Sequence, residues 1–493
     1  GRETAPAAAT EKLFIDPETG EPLPFDEARV SGLSVGVPGT AATWEAALDA
    51  WGTRSLRSVL KPAIRVAERG FVVDETFRSQ VEGNADRFDD FTSSSALYLP
   101  NGEPPEVGSV FRNRDLGRTY RVLAQKGVGE LHEGTLAKEL AQTVRRPPVA
   151  PDADRVVRPG AMTVDDLRAY DVTFREPTKV RYRGFDVYGM APPSSGGSTV
   201  GEALNILENF ELSADDPTAA LHTYLEAAAL AYADRNRYVG DPEFVDVPVR
   251  ELLSQGFADE RACEIDPDRV LPKPVAPGMP DGDYGACGER APRSTDPVND
   301  GHSTTHLTVS DRWGNVVAYT LTIESTGGST IVVPGRGYLL NNELTDFDFA
   351  ATQSPAPDPN LPGPGKRPRS SMSPTIVLDD GRPVLALGSP GGATIITTVL
   401  QTLVNRLDLG MDLPEALAAP RASARNTALG AERAFLESPE GRALAAMGHT
   451  FTDAGEIGAA TGIELGRHGF AQAVAEPTRR GGGSAMVVRP RRH

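Results

Sequence analysis

The 493-residue sequence predicts a layered α+β fold, on three observations. Residues 304–323 alternate apolar and polar side chains as a strand pair does, and residues 374–388 read as a second strand pair about an Asp-Asp-Gly turn. Helical patterns lie before and behind these pairs, at 217–238 and 393–410. Strand pairs flanked by helices bury their apolar faces by stacking helix on sheet.

In chain order, residues 25–145 alternate helical patterns with Gly and Pro breaks. The stretch EPTKVRYRGFDVYGM, 176–190, reads as two strands about a turn at Gly184. Residues 217–238 place Leu221, Leu225, Ala228, Ala229 and Tyr232 on one stripe and predict an amphipathic helix. Residues 264–303 are rich in Pro, Asp and Gly with little periodicity, so an accessible polar linker is expected to end at Thr304.

The first hairpin then alternates Leu307, Val309, Val317, Tyr319, Leu321 and Ile323 with Thr304, His306, Thr308 and Ser310. Folded about Trp313, with Gly314 in a left-handed position, it sets opposite one another residues whose numbers sum to 626. Thr304 is thereby expected opposite Thr322 and Leu307 opposite Tyr319, with Thr305 turned to the core. Glu324, two residues past Thr322, is expected on the same face as Thr322. After the second hairpin, the helix 393–410 is expected to be capped by Gly410.

Fifty basic residues against 68 acidic ones leave a net charge of −18, which argues against nucleic acid or an anionic membrane as the main partner. No run of eighteen apolar residues is present, and the opening GRETAPAAAT lacks the basic-then-apolar pattern of a signal peptide. Cys263 and Cys287 are compatible with two thiols or with one bridge. Without CxxC, HExxH or a His cluster in the sequence, no metal site is expected.

On residues alone, a Thr-rich hairpin face is ordinary strand composition as well as a candidate site. The stretches STTHLTV, LLNNELTDFD, KRPRSSMSPT and GSPGGATIITTVLQ are similar to the catalytic subunit of the γ-glutamyltranspeptidases. Upstream, APPSSGG, LNILENF and AYADRNRYVGDPEFV resemble that family's large subunit in the same order. The resemblance runs from the first residues nearly to the last. It implies the four-layer αββα sandwich of the N-terminal-nucleophile hydrolases. It also implies self-cleavage between Ser303 and Thr304 into a large subunit, 1–303, and a small catalytic subunit, 304–493, which remain together as a heterodimer.

The chemistry accords with that implication. A threonine hydroxyl needs a base, and the residue's own α-amine, with a pKa of about 7.7 to 8.0, is a suitable one. An internal threonine has no such amine, so the chain must be cut before Thr304. The hydroxyl can attack the preceding carbonyl itself in an N-to-O acyl shift. By resemblance Thr304 is the nucleophile and Thr322 tunes it. Gly391 and Gly392 end a strand with backbone N–H groups that no side chain covers, which suits an oxyanion hole. The same stretch misses the G-x-S-x-G elbow, with Leu387 in place of the first Gly, and lacks the Gly-Lys-Ser/Thr ending of a phosphate loop.

Arg2, Ser370 and Ser371 match the family's binders of the donor's α-carboxylate, and Glu343 and Asp346 its binders of the α-ammonium. The implied activity transfers a γ-glutamyl group from glutathione or γ-glutamyl peptides to water, amino acids or dipeptides, without a cofactor, in an exported protein. The alternatives are a glutaryl or cephalosporin acylase, or an uncleaved binding or scaffold protein.

Three departures from the family pattern stand out. Glu324 occupies a position where the best-known members have Asn. The loop 348–365 is rich in Pro, lacks Tyr, and is unlike the lid of glutathione-cleaving members. Together these imply donors as large as poly-γ-glutamate. Arg2 stands almost at the chain start, so the N-terminal part of the fold is expected to be incomplete.

Overall fold

The computed structural model describes residues 1–285, 303–353, 356–426, 429–466 and 469–488, and the chain forms two compact units. The first comprises Gly1–Phe174, Thr322–Ala350 and Asn360–Pro368; the second comprises Arg175–Leu321, Ala351–Pro359 and Arg369–His493.

The first unit is built on helices α1 (Thr40–Trp51), α2 (Leu56–Arg69), α3 (Arg114–Lys126) and α4 (Thr135–Arg145). Ser55 and Asn113 cap α2 and α3 by accepting the N–H groups of Ser58 and Leu116. Leu60, Ile64, Leu123 and Leu136 close one core between α2, α3 and α4. A second core joins Val35, Val37, Leu140 and Val144 to Ile331, Val333 and Leu340, so the late segment is threaded through this unit. Its path is fixed by hydrogen bonds. Ser94 Oγ donates to Thr330 O at 2.6 Å, and buried Arg29 donates to Thr326 O at 2.6 Å and Gly328 O at 3.2 Å. Gly328 has φ +59°, and a Cβ there would lie 2.2 Å from Leu340 O, so this turn needs glycine.

The second unit holds β1 (Thr178–Tyr182), β2 (Phe185–Gly189), α5 (Gly196–Leu207), α6 (Pro217–Tyr238), β3 (Thr305–Ser310), β4 (Val316–Leu321), β5 (Thr375–Asp379), β6 (Arg382–Gly388), α7 (Thr394–Leu407), β7 (Thr461–Leu465) and β8 (Ala471–Ala475). Six strands form one antiparallel sheet in the order β8-β7-β6-β5-β2-β1. Val180, Val187, Val377, Leu385 and Leu387 turn one face of it onto Val200 and Leu204 of α5 and Ile395, Val399 and Leu403 of α7. Since Leu385 and Leu387 face the helices, Gly388 faces the other way. There the imidazole of His306 on β3 packs so closely that a Cβ on Gly388 would lie 2.3 to 2.7 Å from the ring. Helices, sheet and the β3–β4 hairpin are therefore three successive layers.

The hairpin has the expected register, from Thr305 opposite Leu321 to Ser310 opposite Val316, with Leu307 opposite Tyr319. Its sides are the reverse of the expectation. His306 and Thr320 are buried, whereas Thr305 is exposed and Leu307, Val309 and Val317 are 39%, 54% and 55% exposed. The reason is local: His306 Nδ1 lies 2.8 Å from Thr320 Oγ1 and Nε2 lies 3.0 Å from Thr308 Oγ1, so the ring enters the interior fully satisfied. Gly388 leaves the space for it.

Three further expectations are corrected. The helix 217–238 forms over that span, but Ala220 to Asp234 are buried on every side rather than along one stripe. It runs between α5 and the helix Pro439–Met447 within the helix layer. The described part of the linker, 264–285, is anchored: Gly278 N donates to Asp234 Oδ1 at 2.6 Å and Val275 N to Asn426 Oδ1 at 2.6 Å. The rest of it, with Cys287 and any bridge to Cys263, lies outside the described residues. Helix α7 stops at Leu407, three residues before Gly410.

Candidate active site

Thr304 directly precedes β3, and its Oγ1 donates to the carbonyl oxygen of Ser303 at 2.5 Å. The hydroxyl thus rests on the peptide group that an N-to-O shift would attack. The following loop of interest leads from β6 into α7. Gly391 has φ +143° and Gly392 φ +57°. The Gly391 and Gly392 carbonyls accept from Thr394 N and Ile395 N at 3.1 Å, so they are drawn into the first turn of α7. In a trans peptide the N–H points opposite its carbonyl, which aims the Gly392 N–H away from the helix. Ser389 is fully buried, donating to Pro390 O and accepting from Ala459 N, and is no exposed elbow nucleophile.

Ser370 and Ser371 belong to the second unit, beside the loop that starts α5. Ser370 pairs with Ser194 in a short parallel bridge. Ser370 Oγ donates to Ser194 Oγ at 2.9 Å, and Ser194 Oγ to Met372 O at 2.7 Å. The cation beside them is Arg235, a residue the sequence patterns did not single out, whose Nη2 donates to Ser371 Oγ at 3.1 Å.

Arg2 lies in the first unit, paired with the two acids. Buried, it donates to Glu343 Oε1, to Asp346 Oδ2 at 3.1 Å and to Pro368 O at 3.2 Å. Glu343 and Asp346 bound a short 3-10 turn whose first N–H is held by Asn341 Oδ1. Glu324 does not continue the strand face of Thr322. The strand ends at Leu321, and Glu324 takes a left-handed φ of +72° with its N–H donating to Thr322 Oγ1 at 2.9 Å. Its carboxylate accepts from Ser325 Oγ and Asn342 Nδ2.

The electrostatics of this cluster follow from burial and from like charge. Burial, then Asp346, pushes Glu324 up to about 7, against the pull of Ser325, Asn342 and Arg29. Burial pushes Glu343 well above the usual carboxylate range, Arg2 opposing it. For Arg2 burial works against the charge, and Glu343, Asp346 and Glu3 more than offset it. Two buried atoms here have no partner among the described residues, Arg2 Nε and Glu343 Oε2. They are a spare donor and a spare acceptor in one cluster.

The second unit also brings together His222, Glu226 and His449, a grouping invisible in a sequence that lacks adjacent histidines. Glu226 carries Lys273 Nζ at 2.7 Å, and His222 Nδ1 bonds His449 Nε2 at 2.8 Å. Burial, then the neighbouring His222 and Lys273, pushes His449 down to about 3.

Helix layer, six-stranded antiparallel sheet and a hairpin that opens on a threonine together define an N-terminal-nucleophile hydrolase. The family model described as gamma-glutamyltranspeptidase matches residues 1–486. A glutathione hydrolase proenzyme of Bacillus subtilis (strain 168) is 39% identical over 484 residues, 97% of this chain and 79% of the relative. An acylase ACY 1 proenzyme of Pseudomonas sp. (strain SE83) is 34% identical over 90% of this chain and 75% of the relative. Among solved structures, a cephalosporin acylase from Bacillus halodurans superposes with a TM-score of 0.84 at 26% identity, over 99% of this chain and 84% of that one. The chain belongs to the gamma-glutamyltranspeptidase family.

Proposed function

We propose that this chain is a γ-glutamyltranspeptidase and γ-glutamyl hydrolase that matures by cutting itself between Ser303 and Thr304. The observation that carries the reading is the Thr304 hydroxyl resting on the Ser303 carbonyl at the head of the hairpin. Attack of Oγ1 on that carbonyl carbon, with transfer of the hydroxyl proton to the departing nitrogen, breaks the peptide bond and leaves an ester on Thr304. That departing nitrogen is the Thr304 α-amine, now free to serve as the base, and water then hydrolyses the ester, releasing the Ser303 carboxylate and the Thr304 hydroxyl.

In turnover, Thr304 Oγ1 attacks the γ-carbonyl of the donor, and the N–H groups of Gly391 and Gly392 take the developing oxyanion. Thr322 tunes the nucleophile. The leaving amine departs, and water or an acceptor amine cleaves the γ-glutamyl ester. The amino acid end of the donor carries one carboxylate and one ammonium. Arg2, Ser370 and Ser371 take the carboxylate, and Glu324, Glu343 and Asp346 take the ammonium. The unpartnered Arg2 Nε and Glu343 Oε2 complement those two charges.

The products 1–303 and 304–493 would stay associated. Strand β2, from the first, pairs with β5, from the second, across four residue positions of one sheet, and unit one likewise mixes both. Glutathione and γ-glutamyl peptides are the proposed donors, and the charge of Glu324 with the Pro-rich loop 348–365 extends them to poly-γ-glutamate. Among the described residues no helix is long and apolar enough to cross a membrane, and we place the protein outside the cytoplasm by its family.

A second reading is favoured by the likeness to a cephalosporin acylase. Its acyl group would be glutaryl-like, with a carboxylate and no ammonium. Turnover of a γ-glutamyl anilide and a glutaryl anilide by the processed protein separates the two. A strong preference for γ-glutamyl supports the transpeptidase, and a preference for glutaryl overturns it.

A further inference from the structure

Arg235 closes the last turn of α6, where the helix dipole favours a cation. Its guanidinium reaches Ser195, Asn236 and Ser371. Nε donates to Ser195 Oγ at 2.8 Å, Nη1 to Asn236 Oδ1 at 2.7 Å and Nη2 to Ser371 Oγ at 3.1 Å, with the Tyr232 ring centred 5.4 Å away. Ser195 donates twice to the Ser370 carbonyl, from N at 2.8 Å and from Oγ at 2.7 Å. One side chain therefore grips both members of the bridge that carries Ser370 and Ser371.

Counting protons gives this grip a chemical meaning. A hydroxyl has one proton and two lone pairs, and arginine accepts nothing. The proton of Ser194 goes to Met372 O, that of Ser370 to Ser194 Oγ, and that of Ser195 to Ser370 O. Ser371 Oγ accepts from Arg235, so its proton must point elsewhere, and among the described residues no acceptor takes it. A hydroxyl that receives a hydrogen bond from a cation is polarised toward donating its own.

We infer that Arg235 is a positioning residue for the donor's carboxylate, acting through Ser371, which it fixes as a hydrogen-bond donor. The class it selects is acyl donors with a free carboxylate at the end remote from the leaving group. This rests on the assignment of Ser370 and Ser371 to that carboxylate.

The test compares three anilides: γ-glutamyl, with both charges; glutaryl, with the carboxylate only; and 4-aminobutyryl, with the ammonium only. Arg235→Gln is expected to raise KM for the first two by roughly 10- to 50-fold with kcat changed much less, and to leave the third nearly unaltered. Ser371→Ala should show the same selectivity, and the double variant should be no worse than Ser371→Ala alone. Should Arg235→Gln not fold, Arg235→Lys serves, with an expected KM increase of about 3- to 10-fold because an ammonium cannot hold Ser195 and Ser371 in the same fork. Equal loss on all three donors, or an additive double variant, overturns the role of Arg235. If Ser371→Ala itself spares the carboxylate-bearing donors, the carboxylate assignment is what falls.

Discussion

Glu324 offers a pH test of the ammonium pocket. Its carboxyl is buried among other acids and pushed up to about 7, so at pH 6 about a tenth of it is ionised and at pH 8 about nine-tenths. If the ionised form holds the donor's ammonium, KM for a γ-glutamyl anilide should fall by up to about ten-fold between pH 6 and pH 8. Glu324→Gln removes the titrating group while keeping its shape. In that variant KM should be higher at pH 8, by more than kcat is lowered, and the ratio of variant to parent KM should shrink toward 1 at pH 6. Taking the ratio cancels the titration of the donor's own amine and of the Thr304 amine. The assay is initial-rate release of the anilide at pH 6, 7 and 8, with glutaryl anilide as a donor that has no ammonium to lose. A ratio independent of pH, or an equal change with glutaryl anilide, would refute the placement of Glu324 at the ammonium.

Glu343→Gln and Asp346→Asn should damage γ-glutamyl turnover far more than glutaryl turnover, by about 2 to 5 kcal/mol where the ligand's charge is left unpaired; equal losses would favour the acylase. Burial holds His306 down to about 4, so the unfolded chain, with an ordinary histidine near 6.5, takes up the proton first. The stability tied to His306 is therefore intact above pH about 6.5 and reduced by about 2 kcal/mol at pH 5. Urea midpoints of the uncleaved Thr304→Ala chain at pH 8 and pH 5 should show that His306→Gln flattens part of this slope, and an unchanged slope would contradict it. Product analysis with glutathione and with a poly-γ-glutamate oligomer, with and without glycylglycine, should show both donors cleaved and hydrolysis competing with transfer. Strict glutathione specificity with mostly transfer would mean that the loop 348–365 closes over the donor.

Much of the framework was legible because it depends on local chemistry. The hairpin register followed from alternation about Gly314, and the second hairpin from its Asp-Asp-Gly turn, where Asp380 and Gly381 take φ +47° and +76°. Alternation says which side chains share a face, but not which face is buried. Here the polar face went inward because His306 found two hydroxyls on its own hairpin and a glycine on the neighbouring sheet. The period-two extension to Glu324 failed because the strand ends at Leu321 and the backbone turns left-handed. The family motifs named Arg2 and the two acids without saying that they pair with one another. Arg235 escaped notice because an arginine in the last turn of a helix is commonplace, and its hold on Ser195 and Ser371 joins residues 40 and 136 positions away.

The central claim is that Thr304 cuts the chain before itself and then works as its nucleophile. Intact mass measurement of freshly purified protein, beside Thr304→Ala and Thr304→Ser, tests it most directly. The parent and Thr304→Ser should yield two masses equal to residues 1–303 and 304–493, and Thr304→Ala a single uncut and inactive chain. Two subunits from Thr304→Ala, or a fully active uncut parent, would contradict it.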